Sequence, residues 1–457
     1  MNRRQLLKSA GLTAAMRTVG AGQSARAAAN DRVGLGVIGC GSQGTWDQKA
    51  FMSLSDVEIV ALCDVYRPNL EKNLQLAGGK AKTYRDYRRL LEDRDVQAVL
   101  IATPEHWHAY MTIDACDAGK DVYCEKPASH NIRDGRLAVE AARRNNQIVE
   151  VGSQQRSGSH FQRAVKYVQD GRIGDVHYAL CWGHAAPSVE AQEAAAPPAS
   201  ATPPADLDYD FWLGPAPFHP FAEVWPRNRN RFWDFYGGYL TEWGAHLTDI
   251  VLWALQAQGL RTVQAAGAQY RNQDTEMPDT LQVLYEYPSF IFQFSVLSHN
   301  SWGPNGDPGA GRWGSYGIQF QGTKGTLFVD RAGFRLSPQF VRRPDRNHPP
   351  RPVEWHNDDR ELGYYYTTET FPEYADASVQ LPAHARNFID SVKSRKRPIA
   401  DVEDGHYTNT VNRLGNIAYR LGRKLRWDAA REQVVDDPEA NRLVVGAYRA
   451  PWIPKGL

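Results

Sequence analysis

The chain has 457 residues, 42% hydrophobic and 23% charged, with 53 basic against 52 acidic side chains for a net charge of +1. That composition excludes a disordered chain, and the charge balance gives no electrostatic reason to expect nucleic acid or an anionic membrane as partner. No run approaches the ~20 consecutive apolar residues of a membrane-spanning helix. The length predicts two or three domains, and 13 Trp, 21 Tyr and 16 Phe supply a large core and flat pocket walls.

Charge concentrates at the start. Residues 1–30 hold Arg3, Arg4, Lys8, Arg17 and Arg26 with no acid, which leaves the rest mildly acidic. Asn2-Arg3-Arg4-Gln5-Leu6-Leu7-Lys8 resembles a twin-arginine export signal. A weakly apolar Ala/Gly stretch follows, then small-residue cleavage sites in Ala25-Arg26-Ala27-Ala28-Ala29. The expectation is a periplasmic protein, or a cytoplasmic one if the segment does not act as a signal. Cys40, Cys63, Cys116, Cys124 and Cys181 are odd in number and lack a Cys-x-x-Cys pair. They make no disulfide framework and read as small buried apolar side chains.

From residue 31 to 153 short apolar runs alternate with helix-like segments. The runs are Val33–Ile38, Val57–Leu62, Val96–Ile101, Val122–Cys124 and Ile148–Val151, with helices predicted over 45–54, 67–77, 106–118 and 133–145. Strands alternating with helices of that length predict βαβ units and a doubly wound parallel sheet. Residues 154–457 have a different grain. A helix over 161–170 leads to a strand over 175–183, and residues 185–206 form an Ala/Pro-rich surface loop. Strands are predicted over 262–270, 280–287, 290–297, 316–321 and 325–330. Helices are predicted from His384 to Lys393 and over 406–424, the second placed to pack back on the first domain.

Gly39-Cys40-Gly41-Ser42-Gln43-Gly44 follows the first strand and opens a helix, the required context for Gly-x-Gly-x-x-Gly. The first Gly permits the turn, the second lets backbone approach a pyrophosphate, and the third lets helix pack on strand. Asp64 lies 20 residues beyond Gly44 at the end of the second run. A carboxylate there accepts ribose hydroxyls and repels a 2′-phosphate, favouring NAD; Arg67 is the residue that would serve NADP. Thr103-Pro104 and Glu125-Lys126-Pro127 end two further strands, where loops line the ligand crevice. His108 belongs beside the cofactor or simply starts a helix. His106 and His108 share no helical face, so no metal site is expected. Lys126 beside a nicotinamide would polarise a substrate hydroxyl. Glu242, His246 and Asp249 fall on one face of a predicted helix, where carboxylates would orient His246 as a general base.

The order Gly39–Gly44, Asp64, Thr103-Pro104, Glu125-Lys126-Pro127 and an acid-x-x-x-His helix resembles the Gfo/Idh/MocA oxidoreductases, the family of glucose–fructose oxidoreductase and inositol dehydrogenase. Val151-Gly152-Ser153-Gln154-Gln155-Arg156-Ser157, Phe211–Pro217 and Leu425-Arg426-Trp427-Asp428 resemble a secreted subgroup. The resemblance implies an N-terminal Rossmann domain and a C-terminal α/β domain whose large, mostly antiparallel open sheet lines the substrate site and supports a dimer or tetramer. It implies that Lys126 and His246 act on the reacting hydroxyl of a sugar, polyol or glycoside while a hydride moves to a tightly bound nicotinamide. Glu242 replaces the Asp usual in the family. Trp233, Tyr236 and Trp243 are candidate sugar platforms, and Arg156, His184, Arg229, Arg231 and Asp249 candidate substrate ligands. Two alternatives remain: a glycosidase that uses NAD for transient oxidation and elimination, and a non-catalytic cofactor-bound sugar sensor. Lys126 argues against the first, and retention of Lys126 and His246 together argues against the second.

Overall fold

The computed structural model describes residues 32–183, 202–224, 228–271, 273–298, 316–338, 340–341, 351–352, 380–454 and 456. Residues 1–30, His184 and most of the stretch 185–206 lie outside them.

Six short strands form the first sheet: β1 (Val33–Ile38), β2 (Val57–Cys63), β3 (Lys82–Tyr84), β4 (Ala98–Ile101), β5 (Asp121–Cys124) and β6 (Val149–Val151). Their order is β3-β2-β1-β4-β5-β6, and every neighbouring pair is parallel. Strands β1, β4, β5 and β6 are buried at every residue, as a sheet covered by helices on both faces requires. Helices α1 (Ser42–Met52), α2 (Arg67–Leu76), α3 (His108–Asp117) and α4 (Ile132–Arg144) connect the strands. The winding reverses between β1 and β4, and a ligand crevice opens at the carboxyl ends there. This is the Rossmann order expected from the alternating runs.

The second sheet contains β7 (Val176–Gly183), β8 (Thr262–Ala268), β9 (Thr280–Glu286), β10 (Ile291–Leu297), β11 (Tyr316–Gly322), β12 (Gly325–Asp330) and β13 (Gly333–Pro338). After the small ribbon of β14 (Phe340–Val341) and β15 (Arg351–Pro352), β16 (Leu425–Asp428) and β17 (Gln433–Val434) complete it. The order is β13-β12-β11-β7-β10-β9-β8-β16-β17. Only β7 and β10 pair in parallel; the other seven pairings are antiparallel. Alternation is clean in β9, where Leu281, Val283 and Tyr285 are buried and the residues between them half-buried, which fixes the register of a one-sided sheet.

Helices α5 (Ser159–Gln169), α6 (Gly244–Ala254) and α8 (Val402–Leu421) cover that inner face. Phe161, Leu247, Ile250, Val251, Val411 and Leu414 pack with Val263, Val283, Phe292 and Ile318 in one core, each such side chain contributing about 1.5–3 kcal/mol when fully buried. Asp401 caps α8 by accepting from the Glu403 N–H, and Gly422 ends it with φ +61°. The helix lies against α4 of the first domain, with Asn409 donating to Ser129 Oγ (2.7 Å) and Arg413 to Glu105 (2.7 Å).

The helix predicted from His384 to Lys393 is α7 (Gln380–Ser394), and it completes the Rossmann core. Leu381, Ala385, Phe388 and Ile389 join Leu35, Val37 and Leu100, and Phe388 meets Phe51 edge-on at 6.0 Å. Arg386 and Lys393 pair with Asp56 at 2.7 and 2.6 Å. Burial opposes ionisation of Asp56, but these hydrogen bonds hold its carboxyl at about 2. All five cysteines are buried and free. Among the described residues no helix is long and apolar enough to cross a membrane.

Candidate active site

The three glycines after β1 do three different jobs. Gly39 has φ +92°, and a Cβ on it would lie 2.7 Å from the Ala102 carbonyl, so turn and close approach both demand Gly. A Cβ on Gly44 would lie 1.9 Å from the Gly39 oxygen; helix packs on strand only without it. A Cβ on Gly41 would meet nothing within 4 Å. Gly41 caps α1 with no side-chain acceptor, and the helix's first turn carries no acid. Free N–H groups and a positive helix end therefore face a cavity of about 720 Å³ lined by Gly39, Gly41, Ser42, Gln43, Asp64, Thr103 and Pro104. That cradle fits a pyrophosphate. Asp64 is fixed by accepting from the Cys40 and Tyr66 N–H groups, both at 2.8 Å. Burial pushes its carboxyl up while these donors pull it back. Arg67 does not line the cavity; its guanidinium pairs with Asp206 at 3.2 Å.

The segment after β6 joins the two domains residue by residue. Gln154 donates to Glu125 at 2.8 Å and Ser153 to the Ala245 carbonyl at 3.2 Å. With its amide oriented to satisfy both ends, Gln155 donates to the His246 carbonyl (3.0 Å) and accepts from Arg331 Nε (3.2 Å). Arg156 grips Asp249 through two hydrogen bonds of 2.7 and 2.8 Å, and Ser157 meets His384 Nδ1 at 2.7 Å. Four consecutive residues, 153 to 156, thus tie α6, which carries His246, to the end of β6 and β5.

His246 is 5% exposed, and its Nδ1 has no hydrogen-bond partner. Burial pushes its pKa well below the usual value, and the charges of Arg331 and Lys126 push the same way. The ring is held neutral, as a base needs. Burial pushes Glu125 up to about 7, against the pull of Lys126 and its backbone N–H. Asp47, fully buried on α1, is also pushed up by burial and by Glu125, and accepts from Gln43 at 2.8 Å.

The expected carboxylate flanks of His246 are placed otherwise. A short helix, Gly238–Glu242, ends at Trp243 before α6 begins. Glu242 accepts the Tyr236 hydroxyl, and Asp249 is committed to Arg156 and Thr408. Arg156 and Asp249 form a buried ion pair, 5% and 1% exposed, that braces the domain junction. Trp243 stacks on Tyr239 at 5.9 Å and carries the Arg331 guanidinium over its ring at 5.1 Å. Trp233 lies under Arg420 and lines a separate cavity. His108 is 2% exposed and bridges the Pro127 and Thr103 carbonyls at 2.7 and 2.8 Å. It joins the two strand-end loops and does not line the cavity. Arg229 does line it. His184 lies outside the described residues. No cluster of His, Cys, Asp and Glu suited to a metal ion occurs among the described residues.

Sequence reasoning missed Arg331, which sits in the turn between β12 and β13; nothing local marks an Arg in a hairpin turn as part of a site. It also missed Asn69, Trp107 and Met111 as walls of the dinucleotide cavity.

A model of the oxidoreductase family, NAD-binding Rossmann fold, matches residues 33–153, and a model of the same family's C-terminal alpha/beta domain matches 194–292 and 364–454. The chain belongs to the Gfo/Idh/MocA oxidoreductase family. Inositol 2-dehydrogenase of Salmonella paratyphi B is 31% identical over 143 residues, 31% of this chain and 41% of that protein. Myo-inositol 2-dehydrogenase of Thermotoga maritima is 32% identical over 143 residues, 31% of this chain and 42% of that protein. These matches span less than half of the relatives' length. The WlbA dehydrogenase from Bordetella pertussis, solved in complex with NADH and UDP-GlcNAcA, superimposes with a TM-score of 0.63 at 18% identity, covering 87% of this chain and 98% of that one; it shares the fold. The Rossmann half of this family member is NAD-binding, and the cradle at Gly41 and the carboxylate of Asp64 are where the dinucleotide fits.

Proposed function

We propose that the chain is an NAD-dependent dehydrogenase acting on a secondary alcohol of a sugar, polyol or glycoside. The observation that carries this is His246: buried, neutral, with an unpartnered Nδ1, and within the field of Lys126 at the end of β5. NAD, when bound, supplies the hydride acceptor. His246 takes the hydroxyl proton, and the Lys126 ammonium stabilises charge growing on the same oxygen. Glu242 accepts the Tyr236 hydroxyl and does not orient His246. Asp64 favours NAD over NADP, and the Arg67–Asp206 pair removes the cation that a 2′-phosphate would need.

The twin-arginine resemblance of residues 2–8 supports export after folding with cofactor aboard, since free nicotinamide is absent outside the cytoplasm. The open sheet of the second domain supports assembly into a homo-oligomer.

The test is to incubate purified protein and NAD with inositols, hexoses and alkyl glycosides and follow reduced-nicotinamide absorbance. Reduction by one class, lost in His246→Asn, is expected. Aglycone release without net reduction would replace this reading with the redox-elimination glycosidase. Failure to bind NAD would remove both.

A further inference from the structure

A second cavity, about 870 Å³, lies behind the wall that separates it from the dinucleotide crevice. The Trp212 carbonyl builds that wall, accepting from His106 Nε2 (3.2 Å) and Trp107 Nε1 (3.0 Å). Trp107 and Trp212 line the crevice, whereas His106 lines the second cavity. A carbonyl can only accept, so His106 carries its proton on Nε2 and leaves a lone pair on Nδ1. That Nδ1 is buried and has no partner, in a side chain only 6% exposed. Burial, chiefly, pushes the ring's pKa to about 3, so it stays an acceptor at any physiological pH.

His130 repeats the pattern. Its Nδ1 meets the Glu105 carboxylate at 3.2 Å and must donate to it, which leaves Nε2 as a second acceptor on a residue lining the same cavity. His106 Nδ1 is thus a buried acceptor without a donor, which is costly, and with Nε2 of the half-buried His130 as a second acceptor the concave site asks for hydroxyl groups. The charges around them cancel: Asp134 and Asp234 against Arg420 and Arg442. Trp233 adds a flat aromatic wall. Balanced charge disfavours an ionic ligand, and the volume suits a molecule of mono- or disaccharide size.

We propose that this cavity is a second binding site, distinct from the dinucleotide crevice and from His246, for a neutral polyhydroxylated ligand whose hydroxyls donate to His106 Nδ1 and His130 Nε2. The site stands or falls independently of the hydride-transfer reading.

The test is calorimetry and saturation-transfer NMR of the NAD-loaded protein with myo-inositol, methyl β-D-glucopyranoside and cellobiose, on wild type and three variants. His106→Phe removes the acceptor. Ala447→Trp plugs the cavity from an exposed lining position and disturbs no buried packing. His246→Asn alters only the proposed reaction centre. At least one probe is expected to bind, with a binding component weakened about tenfold or more by His106→Phe and Ala447→Trp that persists in His246→Asn. The absence of any component that both survives His246→Asn and is weakened by Ala447→Trp and His106→Phe, or no binding by any of the three probes, would overturn the proposal.

Discussion

His108 and His246 are both buried histidines on helices, and burial lowers the pKa of each. They differ in what surrounds the ring. His108 sets one ring nitrogen against the Thr103 carbonyl and the other against the Pro127 carbonyl; the neutral ring donates its single N–H to one of them, and its place is between two strand-end loops. His246 keeps Nδ1 free of any partner, and its other influences are two cations. The first arrangement is architecture; the second suits the base proposed above. Burial alone does not distinguish them; the contacts of each ring, with the charges of Arg331 and Lys126 beside His246, do.

The contrast can be broken most sharply by substitution. His246→Asn is expected to lower kcat/KM about 10³-fold, within the range of a lost general base, while the unfolding midpoint stays put. His108→Leu should do the reverse, removing the ring's single donor to a strand-end carbonyl and costing about 1–3 kcal/mol in a denaturant titration. If His108→Leu abolished turnover in fully folded protein, the structural reading of that ring would be wrong.

Next in size is the brace that holds α6 in place. Arg156→Met leaves Asp249 as an uncompensated buried charge, and about 3–5 kcal/mol of stability should disappear. A change confined to KM, with stability intact, would return Arg156 to the substrate.

The glycine loop offers a smaller and more selective comparison. Gly41→Ala has space around it and should leave the thermal midpoint of cofactor-free protein unchanged, yet weaken NAD binding about tenfold by displacing the pyrophosphate. Gly44→Ala drives a methyl into the Gly39 carbonyl and should destabilise the cofactor-free protein itself. Equal midpoints for both variants would contradict the division of labour drawn from their neighbours.

The smallest effect concerns pH. The proposed base, His246, needs a neutral ring, so kcat/KM is expected to fall as pH drops through its pKa, well below the usual histidine value in the wild type. Removing one of the cations that depress it, by Arg331→Met, should move this acid limb to higher pH. A limb that stays where it was would mean that burial and Lys126 set the pKa alone.

The Rossmann half was legible because its signals are local. A strand, a Gly-rich turn and a helix follow one another within a dozen residues, and Asp64 comes at the end of the next strand. The strands of the second sheet were also readable from alternation, except β13, which follows β12 after a two-residue turn, and the short pieces β16 and β17, too brief to show a period. The site's electrostatics were not legible. Arg331, Lys126 and His246 come from three distant parts of the chain, and spacing along a helix cannot reveal them. Spacing misled at Glu242, where helical periodicity promised an orienting carboxylate for His246. The helix breaks at Trp243, and Glu242 turns to Tyr236 instead. The ladder from Ser153 to Ser157 was noticed as a motif, but its purpose became visible only when its partners on α6 and α7 were in place.

The account's central claim is that hydride leaves a carbinol carbon for NAD while His246 takes the proton. The most direct measurement uses polyols and sugars deuterated at carbon, incubated with NAD-loaded protein, followed by mass spectrometry of the released nicotinamide. The account predicts reduced nicotinamide carrying one deuterium with wild type and almost none with His246→Asn, although both retain NAD. Bound NAD that never acquires deuterium, or transfer equally fast in His246→Asn, would contradict it.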